Sequence, residues 1–330
     1  MSTSEAKTSE NPNIGVLGGA QYQEHDDRIK GFCGTVIEDP KYYMQYLKEN
    51  VVPLINAHDP SRIIDRVIVR TGMDLTPALD FLGMGVEANV LLGGRWEGFE
   101  WIMSGRTSAG RVLSENTQTQ LRNLAKTAQK EVYSPLRELP EGFNVEVLES
   151  PSRGEIEKLV EIYRQSFDDY ITPLSDSNYL RKYLTDNAIT PVVTRINSKS
   201  IIAVATGVGA EIIMDNGVPF KFMELGDSGS DPRFRNLGLN RHIKQLLIRL
   251  AKQQGYDSIH AEARASWGSP NFANARNGME YCGMLPSNCT ITGPADIPET
   301  ADVDLADWAR KFGSLNIWAL TPVYSAWERY

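Results

Sequence analysis

One stretch limits what this chain can fold into more than any other. It is "PRFRNLGLNRHIKQLLIRLAKQQG", Pro232 to Gly255, which follows the strand-like "FMELGD". Ile243, Leu246, Leu247, Leu250 and Ala251 recur on one helical stripe, and Gly255 supplies the stop. The turn ahead of the helix has an arginine, Arg235, and three residues later a glycine, Gly238. A turn of this kind between a strand and a helix leaves consecutive backbone N–H groups pointing inward at the helix N-terminus. There a pyrophosphate can accept them, and the helix dipole favours the anion. Gly238 permits close backbone approach, and Arg235 adds charge. Taken alone, the same residues also describe a plain helix start with a solvated arginine.

The remaining sequence excludes several classes. With 330 residues, 41% of them hydrophobic, the chain can bury one large core or two ordinary ones. No run of 18 apolar residues is present, so no membrane span is expected. The opening "MSTSEAKTSENPN" lacks the apolar centre of a signal peptide and reads as a disordered leader over 1–13. Cys33, Cys282 and Cys289 are too few and too unevenly placed for a disulfide framework or a zinc site. A cytoplasmic, metal-free protein is the expectation. A net charge of −8 argues against nucleic acid and suits cationic small substrates.

The chain divides in two. From 14 to 106 the order is β-α-β-α-β-β, including a helix over "DPKYYMQYLKENVVPLINAHD" capped by Asp39, a second over "LTPALDFLGMG", and strands "VEANVLLGG" and "GFEWIMSGR". The Gly-rich "GVLGGA" lacks dinucleotide spacing and reads as a turn between strands. A polar helical connector fills 107–147. From 148 to 330 the pattern starts again. Ile156, Leu159, Val160 and Tyr163 lie at helical spacing behind a Ser152 cap, and several strands follow with an Asp-Asn-Gly hairpin turn. The long helix, the strand "YDSIHAEARA", the short helix "PNFANARNG" and the apolar "SLNIWAL" complete it. The shared order suggests a duplicated α/β fold.

Strand, turn, long helix, strand and a short helix with Asn271 resemble the GNAT acyltransferase superfamily. Ala263-Arg264-Ala265, Asn271, Gly278, Gly283, Leu285, Asn288, Ile291, Gly293 and "LNIW" resemble in particular the beta-lysine N-acetyltransferase family. "IYRQSFDDYITPLSDSNYLRKYL" is similar to that family's entry helices, and "QEHDDRIKGF" to its first domain. The resemblance spans most of the chain and is most specific from Arg235 to Gly293. It implies a GNAT-type mixed sheet flanked by helices, in two tandem domains. It also implies acyl transfer from acetyl-CoA or another acyl-CoA to a small amine such as beta-lysine. The turn Arg235, Asn236, Leu237, Gly238, Leu239 and Asn240, with Asn271, would then hold the donor. Asn236 stands where the family has glycine, and asparagine tolerates a left-handed backbone. Asn240 stands where the family has a small residue, so its side chain would crowd or hydrogen-bond a phosphate. Met279, Pro286 and the insertion "PADIPETADVDLADWARKFG" are further departures.

Amide formation from a thioester needs a base for the ammonium proton and a donor for the departing thiolate. Glu224 lies where a GNAT base commonly lies, and Tyr281 is the candidate acid. Asp227, Glu262 and Arg264 are candidates for binding the substrate. Trp96, Trp101 and Trp318 read as core or interface aromatics, and Cys282 and Cys289 as packing. A homodimer, a carrier-protein or aminoacyl-tRNA donor, and a non-catalytic CoA or amino-acid sensor stay open.

Overall fold

The computed structural model describes residues 20–23, 28–32, 45, 47–58, 66–71, 85–91, 100–107, 113–130, 136–213, 218–291, 313–322 and 327. The leader, the second N-terminal helix, the Asp-Asn-Gly turn and the late insertion expected above lie outside these residues, as does Cys33.

Twelve strands form one mixed sheet among the described residues. In chain order they are β1 (Ala20–Gln23), β2 (Arg28–Phe32), β3 (Arg66–Thr71), β4 (Gly85–Leu91), β5 (Glu100–Thr107), β6 (Phe143–Val147), β7 (Ile189–Ile196), β8 (Ser200–Ile213), β9 (Pro219–Ser230), β10 (Ser258–Arg264), β11 (Glu280–Cys289) and β12 (Gly313–Leu320). Across the sheet they run β1-β2-β3-β5-β4-β11-β12-β10-β9-β8-β7-β6. Most neighbours are antiparallel; β2 with β3 and β9 with β10 are parallel. The helices are α1 (Val52–His58), α2 (Glu115–Gln129), α3 (Arg153–Ser166), α4 (Ser177–Leu184), α5 (Leu239–Gln253) and α6 (Gly268–Arg276). None is long and apolar enough to cross a membrane among the described residues.

Local chemistry accounts for these elements. Helix α3 starts with a full capping box, in which Ser152 and Glu155 bond each other's backbone N–H. Ile156, Leu159, Val160 and Tyr163 bury its expected face. Helix α5 buries Leu239, Ile243, Leu247, Ile248 and Ala251 against Met223, Leu225, Ile259 and Ala261 of the sheet. Each large aliphatic there contributes about 1.5–3 kcal/mol through burial. Central strand β12 is buried at every residue, which explains why "SLNIWAL" reads as a continuous apolar run. Strand β6 falls within the stretch read as connector and pairs with β7.

The N-terminal strands join the rest at β4 and β11, where Gly283 lies opposite Ala88. Gly283 has φ of 140°, and a Cβ there would sit 2.3 Å from the Glu87 carbonyl oxygen. Replacing it by alanine should therefore cost about 1–3 kcal/mol and loosen this seam. Thermal unfolding with limited proteolysis near β4 reads the effect; wild-type values for both would contradict it. Across the seam Ala88, Val90 and Met103 pack with Phe220, Phe222, Leu285 and Ile317 in one cluster.

Candidate active site

Strands β9 and β10 pair only from Phe222–Ser258 to Glu224–His260. Beyond that point both continue, β9 to Ser230 and β10 to Arg264, with no ladder between them. The sheet thus forks at Glu224 and His260. One cause lies in β9 itself. Gly226 pairs with Thr206 and Gly229 with Val204, so Asp227 and Ser228 together face the single residue Ala205. This bulge bends the strand, and Asp227 adopts φ of 47° within it.

The bulge also changes which face Asp227 occupies. In an unbroken strand Glu224 and Asp227, three apart, would point to opposite sides. Met223 and Leu225 pack with helix α5, whereas Phe222 belongs to the cluster on the opposite face. One extra residue brings Asp227 round to the face of Phe222 and Glu224. There its Oδ1 accepts a hydrogen bond from the Tyr170 hydroxyl at 2.9 Å. Its Oδ2 accepts from Tyr183 at 2.5 Å and from Thr206 at 2.8 Å.

Asp227 is 4% exposed and has no cationic partner among the described residues. Burial pushes its carboxyl above the usual carboxylate range, its three hydroxyl donors pull it back, and Glu224 nearby adds repulsion. Burial first, and the Asp227 charge second, raise the phenols of Tyr163, Tyr170, Tyr179 and Tyr183, with Tyr179 reaching about 12. The hydroxyls of Tyr163 and Tyr179 are buried without a hydrogen-bond partner. A buried Asp227 carboxyl ringed by phenols, with no cation bonded to it among the described residues, matches a ligand that brings a positive charge.

A raised carboxyl favours the folded state below its ordinary pKa, and that contribution is lost as pH rises through the raised value. Asp227→Asn should thus melt at or above wild type at pH 8, with the gain shrinking at pH 5. Its affinity for a cationic acceptor should fall about tenfold or more. A lower melting temperature at pH 8 with unchanged affinity would make Asp227 a structural clamp.

On β10, His260, Glu262 and Arg264 follow at alternate positions and share one face. His260 Nε2 lies 3.5 Å from Glu224 Oε2. Glu262 is half-buried and sits opposite Ile317 of β12. Arg264 is buried at the strand end, with its guanidinium 5.0 Å over the Trp267 ring.

The turn at the end of the fork is exposed from Arg235 to Gly238. Asn236 and Gly238 are left-handed, with φ of 66° and 76°, so asparagine fits where glycine is usual. No side chain caps helix α5, and a Cβ on Gly238 would meet nothing within 4 Å. The N–H groups of Leu239 and Asn240 open the helix and have no intrahelical acceptor. Arg235 donates to the Gln165 carbonyl at 3.0 Å, tying the turn to helix α3. Leu237 is 44% exposed, whereas the Leu239 side chain is in the core. Asn240 Oδ1 is buried without a hydrogen-bond partner.

Two expected site residues lie elsewhere. Asn271 is fully buried and all its hydrogen bonds are internal. Its Nδ2 donates to the Arg264 and Trp267 carbonyls, and its Oδ1 accepts from Asn316 and Trp318. It clasps β10 to β12 instead of reaching towards a ligand. The Tyr281 ring is tilted against Trp318 at 5.7 Å on the α5 side of the sheet, across from Glu224, and burial pushes its phenol up to about 12. It is a poor proton donor there. The groups sequence reasoning missed are Tyr170, Tyr183 and Thr206, along with His260. Among the described residues no three His, Cys, Asp or Glu side chains gather as a metal set.

No family model matches the chain. It is 24% identical over 160 residues, 48% of its length, to the beta-lysine N(6)-acetyltransferase of Methanococcus maripaludis. The match spans about half of that relative, 54%. Similar solved structures include a spermidine N-acetyltransferase variant from Vibrio cholerae, at 13% identity and TM-score 0.40, covering 55% of this chain and 95% of that one. A candidate acetyltransferase from Salmonella typhimurium with acetyl-CoA is similar at 12% identity and TM-score 0.41, covering 55% and 94%. What the chain is similar to, in sequence over about half its length, is thus an amine acetyltransferase.

Proposed function

We propose that this protein is an N-acyltransferase that moves an acyl group, acetyl first among them, from an acyl-CoA to the amine of a small cationic molecule. The observation that carries this reading is the fork between β9 and β10, which ends on an uncapped left-handed turn. Arg235 and the N–H groups of Gly238, Leu239 and Asn240 would hold the donor's pyrophosphate, and Leu237 would cover part of its apolar arm. The N-terminal unit over 14–106 would close the acceptor side of the cleft.

The face carrying Glu224 and Asp227 would receive the acceptor. Asp227 attracts its ammonium group, and Glu224 takes a proton from it, leaving a neutral amine able to attack the thioester. A phenol as weak an acid as Tyr281 is not assigned to the departing thiolate. The similarity in sequence to a beta-lysine N(6)-acetyltransferase supports amino acids with side-chain amines as acceptors.

The test is release of free CoA from acetyl-CoA and longer acyl-CoAs, with a panel of alkyl diamines, polyamines and amino acids. Turnover with at least one cationic amine is expected, with the acyl mass added to it. Tight donor binding without turnover would favour a sensor. No binding of any acyl-CoA would shift the donor to a carrier protein.

A further inference from the structure

His260, one of four histidines in the chain, is buried at the point where the fork opens. It is the direct ladder partner of Glu224 in the only parallel pairing of the second half of the chain among the described residues. Its Nε2 faces Glu224 Oε2 at 3.5 Å yet makes no hydrogen bond of normal geometry. A buried, unpartnered ring nitrogen is costly unless something uses it. Beside it lies a cavity of about 10 Å³, lined by Val90, Phe220, Phe222 and Ser258, the lower limit for one water. Apart from Ser258 and His260 itself, the residues lining that cavity are apolar. Phe222 tilts against the ring at 5.6 Å, Ala319 of β12 is its other ladder partner, and Val90 reaches in from β4. Glu224 is the charged group set against it from β9, and Glu262, two residues along β10, shares its face.

We infer that His260 is a positioning residue for Glu224, holding that carboxylate at the fork and taking on the proton it removes from the acceptor. The inference rests on the acyl-transfer reading. Glu224 accepts one proton from the acceptor's ammonium. His260 Nε2 then takes that proton, which restores the carboxylate and leaves an imidazolium paired to it. Water removes the proton before the next turnover. The amine's second proton leaves after attack and ends on the CoA thiol, so the two protons balance.

The test pairs kinetics with a measurement that needs no turnover. His260→Gln should lower kcat about tenfold or more with KM for the donor unchanged. The acidic limb of its pH profile should move relative to that of wild type. A uniform loss at all pH values, with the limb in place, would overturn the inference. Separately, NMR of the ring-labelled full chain follows the His260 titration in wild type and in Glu224→Gln. Removing the carboxylate should change the ring signals through the titration, and an unchanged titration would show that the two groups are not coupled. A coupled pair in a protein with no acyl-transfer activity towards any donor would fail the reading of function and the relay with it. A coupled pair with an unmoved pH limb would fail the relay alone.

Discussion

Replacing Glu224 by glutamine is expected to lower kcat by about a hundredfold or more, the usual size of a lost general base. KM for the acyl donor should change little, because Glu224 lies at the closed end of the fork and the turn at its other end. The loss should be greatest at neutral pH and partly recovered at alkaline pH, where the free amine of the acceptor accumulates without help. Glutamine keeps the size of the side chain and its place opposite Val208 and His260 in the sheet. Circular dichroism should therefore match wild type. Steady-state kinetics against pH distinguish the roles, since a residue that only binds acceptor would raise its KM and spare kcat. An unchanged pH profile would remove Glu224 from the base role.

Helix α5 carries a second large effect, on stability. Lys244 is 3% exposed, and its ammonium donates to Asn274 Oδ1 at 2.5 Å. Burial lowers its pKa from 10.5 to about 8. A base depressed in this way costs nothing above pH 10.5, where it is neutral in both states. The cost grows as pH falls towards 8 and is complete below it. The difference between 10.5 and about 8 is worth roughly 3 kcal/mol. Lys244→Met removes that cost and leaves Asn274 Oδ1 without its partner, a loss of about 1 kcal/mol. A net gain of roughly 2 kcal/mol at pH 7 follows, turning into a net loss of about 1 kcal/mol above pH 10.5, where only the lost hydrogen bond remains. Urea unfolding at both pH values measures it. A less stable variant at pH 7 would show that Lys244 holds its neighbours together more than burial penalises it.

Much of the architecture is legible in the sequence because short-range rules decide it. Ser152 and Glu155 announce helix α3, and the stripe from Ile243 to Ala251 announces helix α5. The left-handed turn is readable from Gly238, and Asn236 is tolerated there for the reason asparagine suggests. What the sequence hides is parity and proximity. One extra residue in β9 moves Asp227 to the face of Glu224, and no local pattern marks that bulge. Tyr170 and Tyr183 reach Asp227 from 57 and 44 positions away in the chain. Asn271 looks free in sequence because Asn316 and Trp318, which bond its oxygen, lie 45 and 47 positions on. Those two alternate along β12 and so point the same way, which gives the spacing in "LNIW" a physical reason. Lys244 hides among the apolar residues of helix α5, and its burial shows only in three dimensions.

The central claim is that the fork and its left-handed turn receive an acyl-CoA. Calorimetric titration of acetyl-CoA into the full chain and into Gly238→Val tests it most directly, because valine disfavours the left-handed backbone at φ of 76° without a clash at the open Cβ position. The account predicts one-site binding to wild type, weakened about tenfold or more in the variant, with affinity for a cationic acceptor unchanged. No binding to wild type, or equal binding to both proteins, would contradict it.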